Sequence, residues 1–533
     1  MTDHAAHDDA PRSAEETHHL EQQRRTNRDA VAALGVNPYG ERTDNLMPLA
    51  EVRARYNEQA DLDHQANAKT EGFTDARPVV RIAGRVMLHR DNGKLVWMQL
   101  RDDSVCLGAR PDAPPPDLQI AVSKKDCDET GFEIAKRTDL GDLVIAEGPV
   151  MRTKAGEITV WASSLRPGAK SLALPPEKRA GLQDTEQRYR RRYVDLYTNP
   201  ETMRVLAARS RLVRAARDFL DARGYSEVET PMLQTLAGGA AARPFVTHMN
   251  ALDISLFMRI APELYLKRLL VGGMPRVYEV NRNFRNEGLD RNHNPEFTML
   301  ELYHAYGDVE TVMDLTENLV RDLARVVARE FHARPDGAPL RLPYDGAEID
   351  YESPFLRVPY PELFERALGF PMTDTQRVRE EAKRRKLKHE GLDDALVVNA
   401  LFEDAAEPTL DPARPTFITD YPAALSPLTR PKRDNPALAD RADLFIGGME
   451  IAPHYTELND PDVQAATFRR QLAGLDDEES TFRNFDEDFI NALKVGMPPA
   501  GGMGLGVDRL VMLLCDQRSI RDVILFPFMR PEA

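Results

Sequence analysis

Hydrophobic positions change their spacing several times along the chain, and the changes mark its organisation. Residues 1 to 29 are rich in acids, arginine and histidine (His4, His7, His18, His19) with almost no apolar periodicity. That composition predicts a disordered, solvated polar tail. From 30 to 76 a helical extension is predicted, with Leu46, Leu49, Val52 and Tyr56 at helical spacing. From residue 77 the spacing turns strand-like. Val79 to Leu88 is apolar-rich, Asp91-Asn92-Gly93 signals a turn, and Leu95 to Arg101 alternates. Gly141 to Met151 and Glu157 to Trp161 form another strand pair around Lys154-Ala155-Gly156. Several short strands within 77–166 predict a small β-barrel.

A linker over 167–187, marked by Pro167-Gly168 and Pro175-Pro176, leads into the basic run Arg188-Tyr189-Arg190-Arg191-Arg192. Residues 188–533 mix long helices with strands too irregularly for a βαβ repeat. Asp308 to Phe331 reads as an amphipathic helix, and residues 355–407 as a helix-rich insertion. The insertion's basic cluster, Lys383 to Lys388, reads as a solvated helix face. The fold class is α+β.

Composition narrows the chemistry. Of 533 residues, 42% are hydrophobic and 29% charged, and none of the apolar runs approaches the roughly 18 residues of a membrane span. Three scattered cysteines (Cys106, Cys127, Cys515) exclude a disulfide framework and a CxxC zinc site, and they suit the cytoplasm. A net charge of −16 repels nucleic acid in general, so DNA is not expected and RNA must be met by local basic patches.

The most informative segment is 277–306, VYEVNRNFRNEGLDRNHNPEFTMLELYHAY. Two strand-like runs flank a polar loop holding Arg285, Asn286, Glu287 and His293. In the second run, period two puts Phe297, Met299, Glu301 and Tyr303 on one face, and Thr298, Leu300 and Leu302 on the other. A carboxylate and a phenol inside an apolar strand need partners, because burying them unpaired costs several kcal/mol. A structural ion pair with Arg285 is one explanation. A strand floor beneath an anionic, amine-bearing ligand is the other.

FRNEG (284–288) followed by HNPEFTMLELY (293–303) resembles the second signature motif of class II aminoacyl-tRNA synthetases, in the form that the lysine-specific members carry. FLDARGYSEVETP (219–231) resembles the first motif, which builds a dimer interface, and GMGLGVDR (502–509) resembles the third. Residues 238–253 and RIAPELYLKRL (259–269) are similar to the lysine enzymes in particular. The resemblance runs from about residue 60 to the C-terminus, and the predicted barrel matches the family's anticodon-binding OB domain.

The resemblance implies an OB-fold barrel followed by an antiparallel catalytic sheet flanked by helices. It implies a cytoplasmic homodimer that ligates L-lysine to tRNA(Lys), using ATP and a lysyl-adenylate intermediate. Such catalysis is mostly positioning and charge stabilisation. Arg285 would bridge the α-phosphate and the substrate carboxylate, Phe297 would stack on adenine, and His293 would lie near the outer phosphates. Asn286 and Glu287 belong to the same ATP-binding loop, and Arg509 would clamp the γ-phosphate. The glycines from Gly501 to Gly506 would let adenine approach the backbone.

Asp443 and Glu450 fall on a hairpin turning at Gly447-Gly448. Phe445 faces Glu450 and Asp443 faces Ala452 in that register, which makes the two acids diagonal neighbours suited to Mg²⁺. For lysine, the resemblance assigns Glu263 and Glu457 to the ε-ammonium, Glu301 and the Gly239 carbonyl to the α-amino group, with Tyr303 and Tyr455 beside them. Pro453 stands where the family has an asparagine. Strict alternation puts Pro453, Tyr455 and Glu457 opposite Glu450, so a bulge is required for one pocket. In the barrel, Trp97 lies opposite Val96, Met98 and Leu100, either a base-stacking platform or an ordinary packing residue of the barrel, and Glu157 matches a base-reading residue in the resemblance.

Rival readings are a synthetase for aspartate or asparagine, a ligase that lysylates protein, and a non-catalytic RNA-binding paralogue. Glu263 and Glu457 oppose the first, since an acidic substrate would meet two carboxylates. The barrel opposes the second, and the complete set of motif residues opposes the third.

Overall fold

The computed structural model describes residues 14–107, 117–176, 181–240, 242–473 and 485–532. His4 and His7 of the polar tail lie outside them. The chain forms two compact units, Met1–Arg204 and Val205–Ala533.

In the first unit, strands β1 (Val79–Asp91), β2 (Leu95–Arg101), β3 (Leu118–Ser123), β4 (Leu143–Arg152), β5 (Ile158–Ala162) and β6 (Ser164–Ala169) run in the order β1-β2-β3-β5-β4-β6. A further β1–β4 pairing closes five of them into a barrel, which leaves no free edge among those strands. Its core holds Val96, Met98, Leu100, Ile120 and Val160, each at most 1% exposed. The helix Glu129–Lys136, N-capped by Asp128, links β3 to β4.

The amino-terminal region departs from expectation. Residues 14–29 are not a disordered tail but most of a helix, Ala14–Ala32. A polar anchor that hydrophobic periodicity does not register holds it. The buried Arg24 donates to the carbonyls of Leu140 and Ser171, both at 2.8 Å, and Val31 joins the barrel core. The helical spacing of Leu46 to Tyr56 yields only a short helix, Leu49–Val52, and one 3-10 turn.

The second unit is built on short strands β7 (Ser226–Glu227), β8 (Leu233–Gln234), β9 (Val246–Met249) and β10 (Ile254–Met258), then β11 (Arg276–Phe284) and β12 (Glu296–Ala305). A hairpin of β13 (Arg341–Tyr344) and β14 (Ala347–Asp350) follows, with β15 (Leu356–Pro359) and β16 (Thr416–Thr419). The last strands are β17 (Arg441–Ile446), β18 (Met449–Thr456) and β19 (Ala500–Gly506). Eight of them form one sheet, ordered β15-β16-β17-β18-β19-β12-β11-β7 and antiparallel except at its two edges.

One face of the sheet packs on the amphipathic helix Val309–Glu330, whose Val312, Leu319, Val320 and Leu323 meet Leu300, Leu302 and Leu505 in a single core. Asp308 caps that helix reciprocally with Thr311. The opposite parity of β12, which carries Glu301 and Tyr303, is thereby left for a site. The insertion forms the helices Tyr360–Leu368, Thr375–Arg384 and Asp394–Ala405 around a core of its own.

Candidate active site

Strand register assembles the floor. Asn283 of β11 faces Phe297 of β12, and Glu279 faces Glu301. Across β12 and β19, Glu301 pairs with Gly504 and Tyr303 with Gly502, and Gly502 pairs in turn with Tyr455 of β18. Tyr303, Gly502 and Tyr455 therefore form one row. Burial, then the nearby carboxylates, holds the Tyr303 phenol protonated well above its ordinary range.

Glycine at 502 has a specific cause. A Cβ there would overlap Glu457 Oε1 and lie 2.6 Å from a Tyr303 ring carbon. The glycine run thus makes room for neighbouring protein rather than for adenine alone. Among Gly501, Gly502, Gly504 and Gly506, only Gly506 would place a Cβ no closer than 3.6 Å to its surroundings.

Glu263 opens the helix Glu263–Val271 and is 9% exposed, while Glu457, just past β18, is 1% exposed. Both meet Lys267, a fully buried side chain that sequence reasoning missed. Its Nζ lies 2.6 Å from Glu263 Oε1 and 2.5 Å from Glu457 Oε2. The signal was present as the i, i+4 spacing in RIAPELYLKRL. Gly239, with φ +87°, sits against Glu263: a Cβ there would lie 3.1 Å from that of Glu263. Glu301, also buried, accepts a 3.3 Å hydrogen bond from Asn283 Nδ2. Burial, then the charge of Glu263, pushes its carboxyl up to about 8. A cation arriving beside it would favour its ionised form.

Arg285 follows β11. Its guanidinium carbon sits 5.1 Å from the centroid of the Phe297 ring, and its Nε is buried without a hydrogen-bond partner. Burial lowers its pKa, an unfavourable setting for a cation that an anionic ligand would relieve. His293 brings two loops together: Nδ1 is 2.7 Å from Asp290 Oδ2, and Nε2 is 3.0 Å from Arg509 Nη2. Arg509 Nη1 also donates to the Glu450 carbonyl at 2.7 Å. Asn286 and Glu287 are exposed on the loop, and the negative charge of Glu287 acts on Arg285.

The β17–β18 hairpin corrects one register. Gly447 and Gly448 make the turn with positive φ, and Phe445 does face Glu450. Asp443, however, faces Pro453 rather than Ala452, because the register shifts between Leu444 and Phe445. This irregularity is the required bulge, and it supplies the change of side that strict alternation denied to Pro453, Tyr455 and Glu457.

Asp443 is 2% exposed and is gripped by Arg441, with Nη2 2.6 Å from Oδ2 and Nε 3.0 Å from Oδ1. Arg441 lies in turn over the rings of Tyr421 (4.3 Å) and Tyr455 (5.7 Å). Glu450 is open to solvent at the cleft but closely surrounded by protein. Desolvation, then Asp443, raises its carboxyl against the pull of Arg441, Arg509 and Arg285. Asp443 and Glu450 bring together hard carboxylate oxygens of the kind Mg²⁺ takes, with Arg441 on both oxygens of Asp443.

On the barrel, Trp97 has the parity expected and gains a companion. Trp97 pairs in register with Ala121, and Ala121 with Trp161, so the two indoles flank one small residue on the outer face. They meet edge-to-face with centroids 6.2 Å apart, and Trp161 Nε1 donates to Asp126 at 3.1 Å. The neighbouring row carries Gln99, Gln119 and Thr159. Glu157 is exposed and paired with Arg53 at 3.3 Å. The alternation of Ile158 to Ala162 could have revealed Trp161 from sequence.

If Trp97 stacks on a base, Trp97→Ala loses about 1–3 kcal/mol of tRNA binding and leaves lysine-dependent pyrophosphate exchange unchanged. Normal tRNA affinity with a lower melting temperature of the barrel would instead make Trp97 a packing residue.

Comparison with known proteins gives the family. The family described as tRNA synthetases class II (D, K and N) matches residues 184–530, and the OB-fold nucleic acid binding domain matches 80–167. The chain is therefore a class II tRNA synthetase of that group. The lysine–tRNA ligase of Carboxydothermus hydrogenoformans is 44% identical over 502 residues, covering 93% of this chain and 95% of its own. That of Pelotomaculum thermopropionicum is 44% identical over 518 residues (95% and 94%), and that of Pseudomonas entomophila 46% over 484 (89% and 91%). Within the class, this chain belongs to the lysine–tRNA ligase family.

Proposed function

We propose that this protein ligates L-lysine to tRNA(Lys) in two steps. The lysine carboxylate oxygen attacks the α-phosphorus of ATP, the bond to pyrophosphate breaks, and lysyl-adenylate forms. A ribose hydroxyl at the tRNA end then attacks the acyl carbonyl, and AMP leaves. The observation that carries the lysine assignment is the buried acidic pocket: Glu263 and Glu457 converge, and Glu457 Oε1 has no hydrogen-bond partner. A buried, unsatisfied carboxylate oxygen favours an ammonium and penalises a carboxylate. That opposes an aspartate substrate, and asparagine would leave the charge unpaired.

Glu301 would take the α-ammonium and give up its proton. Arg285, with its orphaned Nε, would bind the α-phosphate and the substrate carboxylate together, a task for which Pro453 offers no side-chain donor. Adenine would stack on Phe297, and His293 and Arg509, held together, would meet the outer phosphates beside Gly506. Asp443 and Glu450 would hold Mg²⁺, whose charge would offset that of the triphosphate. The Trp97–Trp161 face and Glu157 would receive the anticodon.

Support for a homodimer comes from the three-stranded sheet of β8, β9 and β10. Leu233 (52% exposed), Val246 (57%) and Leu252 (64%) leave apolar surface there, as a subunit interface does. A second copy would cover it, giving twice the 60.0 kDa chain mass in light scattering. No described helix is long and apolar enough to cross a membrane, and the three buried free cysteines suit a cytoplasmic setting.

ATP–pyrophosphate exchange across the twenty amino acids tests the function. Exchange with lysine alone is expected. Exchange driven by aspartate or asparagine, or by none, would overturn it.

A further inference from the structure

The lysine pocket contains a lysine of its own. A buried ammonium is among the costliest groups to place in a protein interior unless it is paired. Lys267 lies between apolar helix neighbours Leu266 and Leu270, which are 0% and 3% exposed, and it is itself fully buried. Among the described residues its ion pairs are with Glu263 and Glu457. It uses one oxygen of each: Oε1 of Glu263 and Oε2 of Glu457. The other oxygens remain on the glycine-lined side. Glu263 Oε2 is 3.8 Å from where a Cβ on Gly239 would lie, and Glu457 Oε1 packs over Gly502.

We infer that Lys267 is a positioning residue for amino-acid selection: it draws Glu263 and Glu457 together, fixes which oxygen of each faces the glycine-lined side, and leaves the side-chain pocket with a formal charge of one net negative. The inference rests on the proposed lysine specificity. Two carboxylates confined together without a cation repel one another and lose the shared position that Lys267 enforces, because like charges at that range cannot both ionise cheaply. Two carboxylates with one internal ammonium total −1, which a single substrate ammonium brings to zero. The geometry supports the division of labour. Lys267 comes from the same helix as Glu263, at i, i+4, while Glu457 arrives from the end of β18. The ammonium thereby ties helix to sheet at the point where the ligand would enter.

The test is a charge cycle in the full-length protein, read as KM for lysine and for ATP in pyrophosphate exchange. Lys267→Met removes the ammonium and keeps the length of the chain; it raises KM for lysine about tenfold or more, with KM for ATP within about twofold. Glu263→Gln alone takes the pocket to zero net charge and also raises KM for lysine. The double variant Lys267→Met/Glu263→Gln restores a net charge of −1 through Glu457, so it recovers part of the affinity lost in the worse single variant. Lys267→Arg keeps the charge and loses less than Lys267→Met.

A double variant no better than the worse single, or equal losses for lysine and ATP, would make Lys267 a structural residue and overturn the inference. Should Lys267→Met fail to fold, the double variant, which leaves fewer buried charges unmatched, decides the matter against Glu263→Gln. Lysine-dependent exchange by the wild type separates the two levels. Its absence refutes the proposed function, whereas its presence with an additive cycle refutes only the role of Lys267.

Discussion

Arg285→Ala is expected to abolish most adenylate formation while leaving the protein folded. Arg285 directly follows β11, where strand gives way to the polar loop, with its guanidinium over Phe297 and a buried, unsatisfied Nε. A donor in that condition destabilises the free protein slightly and is repaid by a bound anion. Removing it therefore should cost little in stability. In the reaction it meets charge developing on the α-phosphate in a site partly shielded from water, where one such contact contributes about 2–4 kcal/mol, or about 30- to 1,000-fold in rate. Arg285→Lys is not expected to rescue, because a point charge cannot bridge two oxyanions as a planar fork does. Pyrophosphate exchange at saturating lysine, alongside thermal unfolding, checks both halves. Near-wild-type exchange by the soluble variant would remove Arg285 from the mechanism.

The extent to which sequence foretells this site follows the kind of interaction involved. Parity along a strand is visible in the chain: it separates Glu301 and Tyr303 from Leu300 and Leu302, and Trp97 from Val96 and Met98, as the structure does. A turn is visible too, since Gly447-Gly448 supplies the positive φ its geometry requires. Where alternation breaks is harder to read. The need for a bulge follows from Pro453 and Glu457, but its place between Leu444 and Phe445 is set by pairing with another strand.

Polar anchoring is harder still. Arg24 fixes the helix Ala14–Ala32 through three carbonyls distant in sequence, and nothing in residues 14 to 29 announces them. Lys267 illustrates the same limit within the pocket. Periodicity places it on a helix with Glu263 four residues before it, but only the fold brings Glu457 to its other side.

Glu457→Gln should produce the most selective defect. The substitution conserves volume, so Gly502 and Tyr303 keep their packing, and the helix retains its Glu263–Lys267 pair. What changes is charge: the pocket falls from −1 to zero, and a buried ε-ammonium meets an amide where a carboxylate stood. Breaking one member of a buried pair costs about 2–5 kcal/mol, here drawn from lysine binding. ATP affinity should scarcely move. Glu263→Gln should cost less, because the Glu263 side chain retains 11% exposure against 1% for Glu457 and water can partly replace it.

A pH series sharpens the assignment. Burial raises the Glu457 carboxyl above its ordinary range against the opposing pull of Lys267. A raised carboxyl is ionised only above its shifted value, so wild-type lysine affinity falls as pH drops through that value. Glu301, pushed up to about 8, titrates in both proteins, so the ratio of wild-type to variant affinity isolates Glu457. That ratio should shrink on acidification and level off at higher pH. Isothermal titration with lysine and with ATP measures it. A ratio independent of pH, or a loss shared equally by lysine and ATP, would mean that Glu457 supports the fold rather than reads the amino acid.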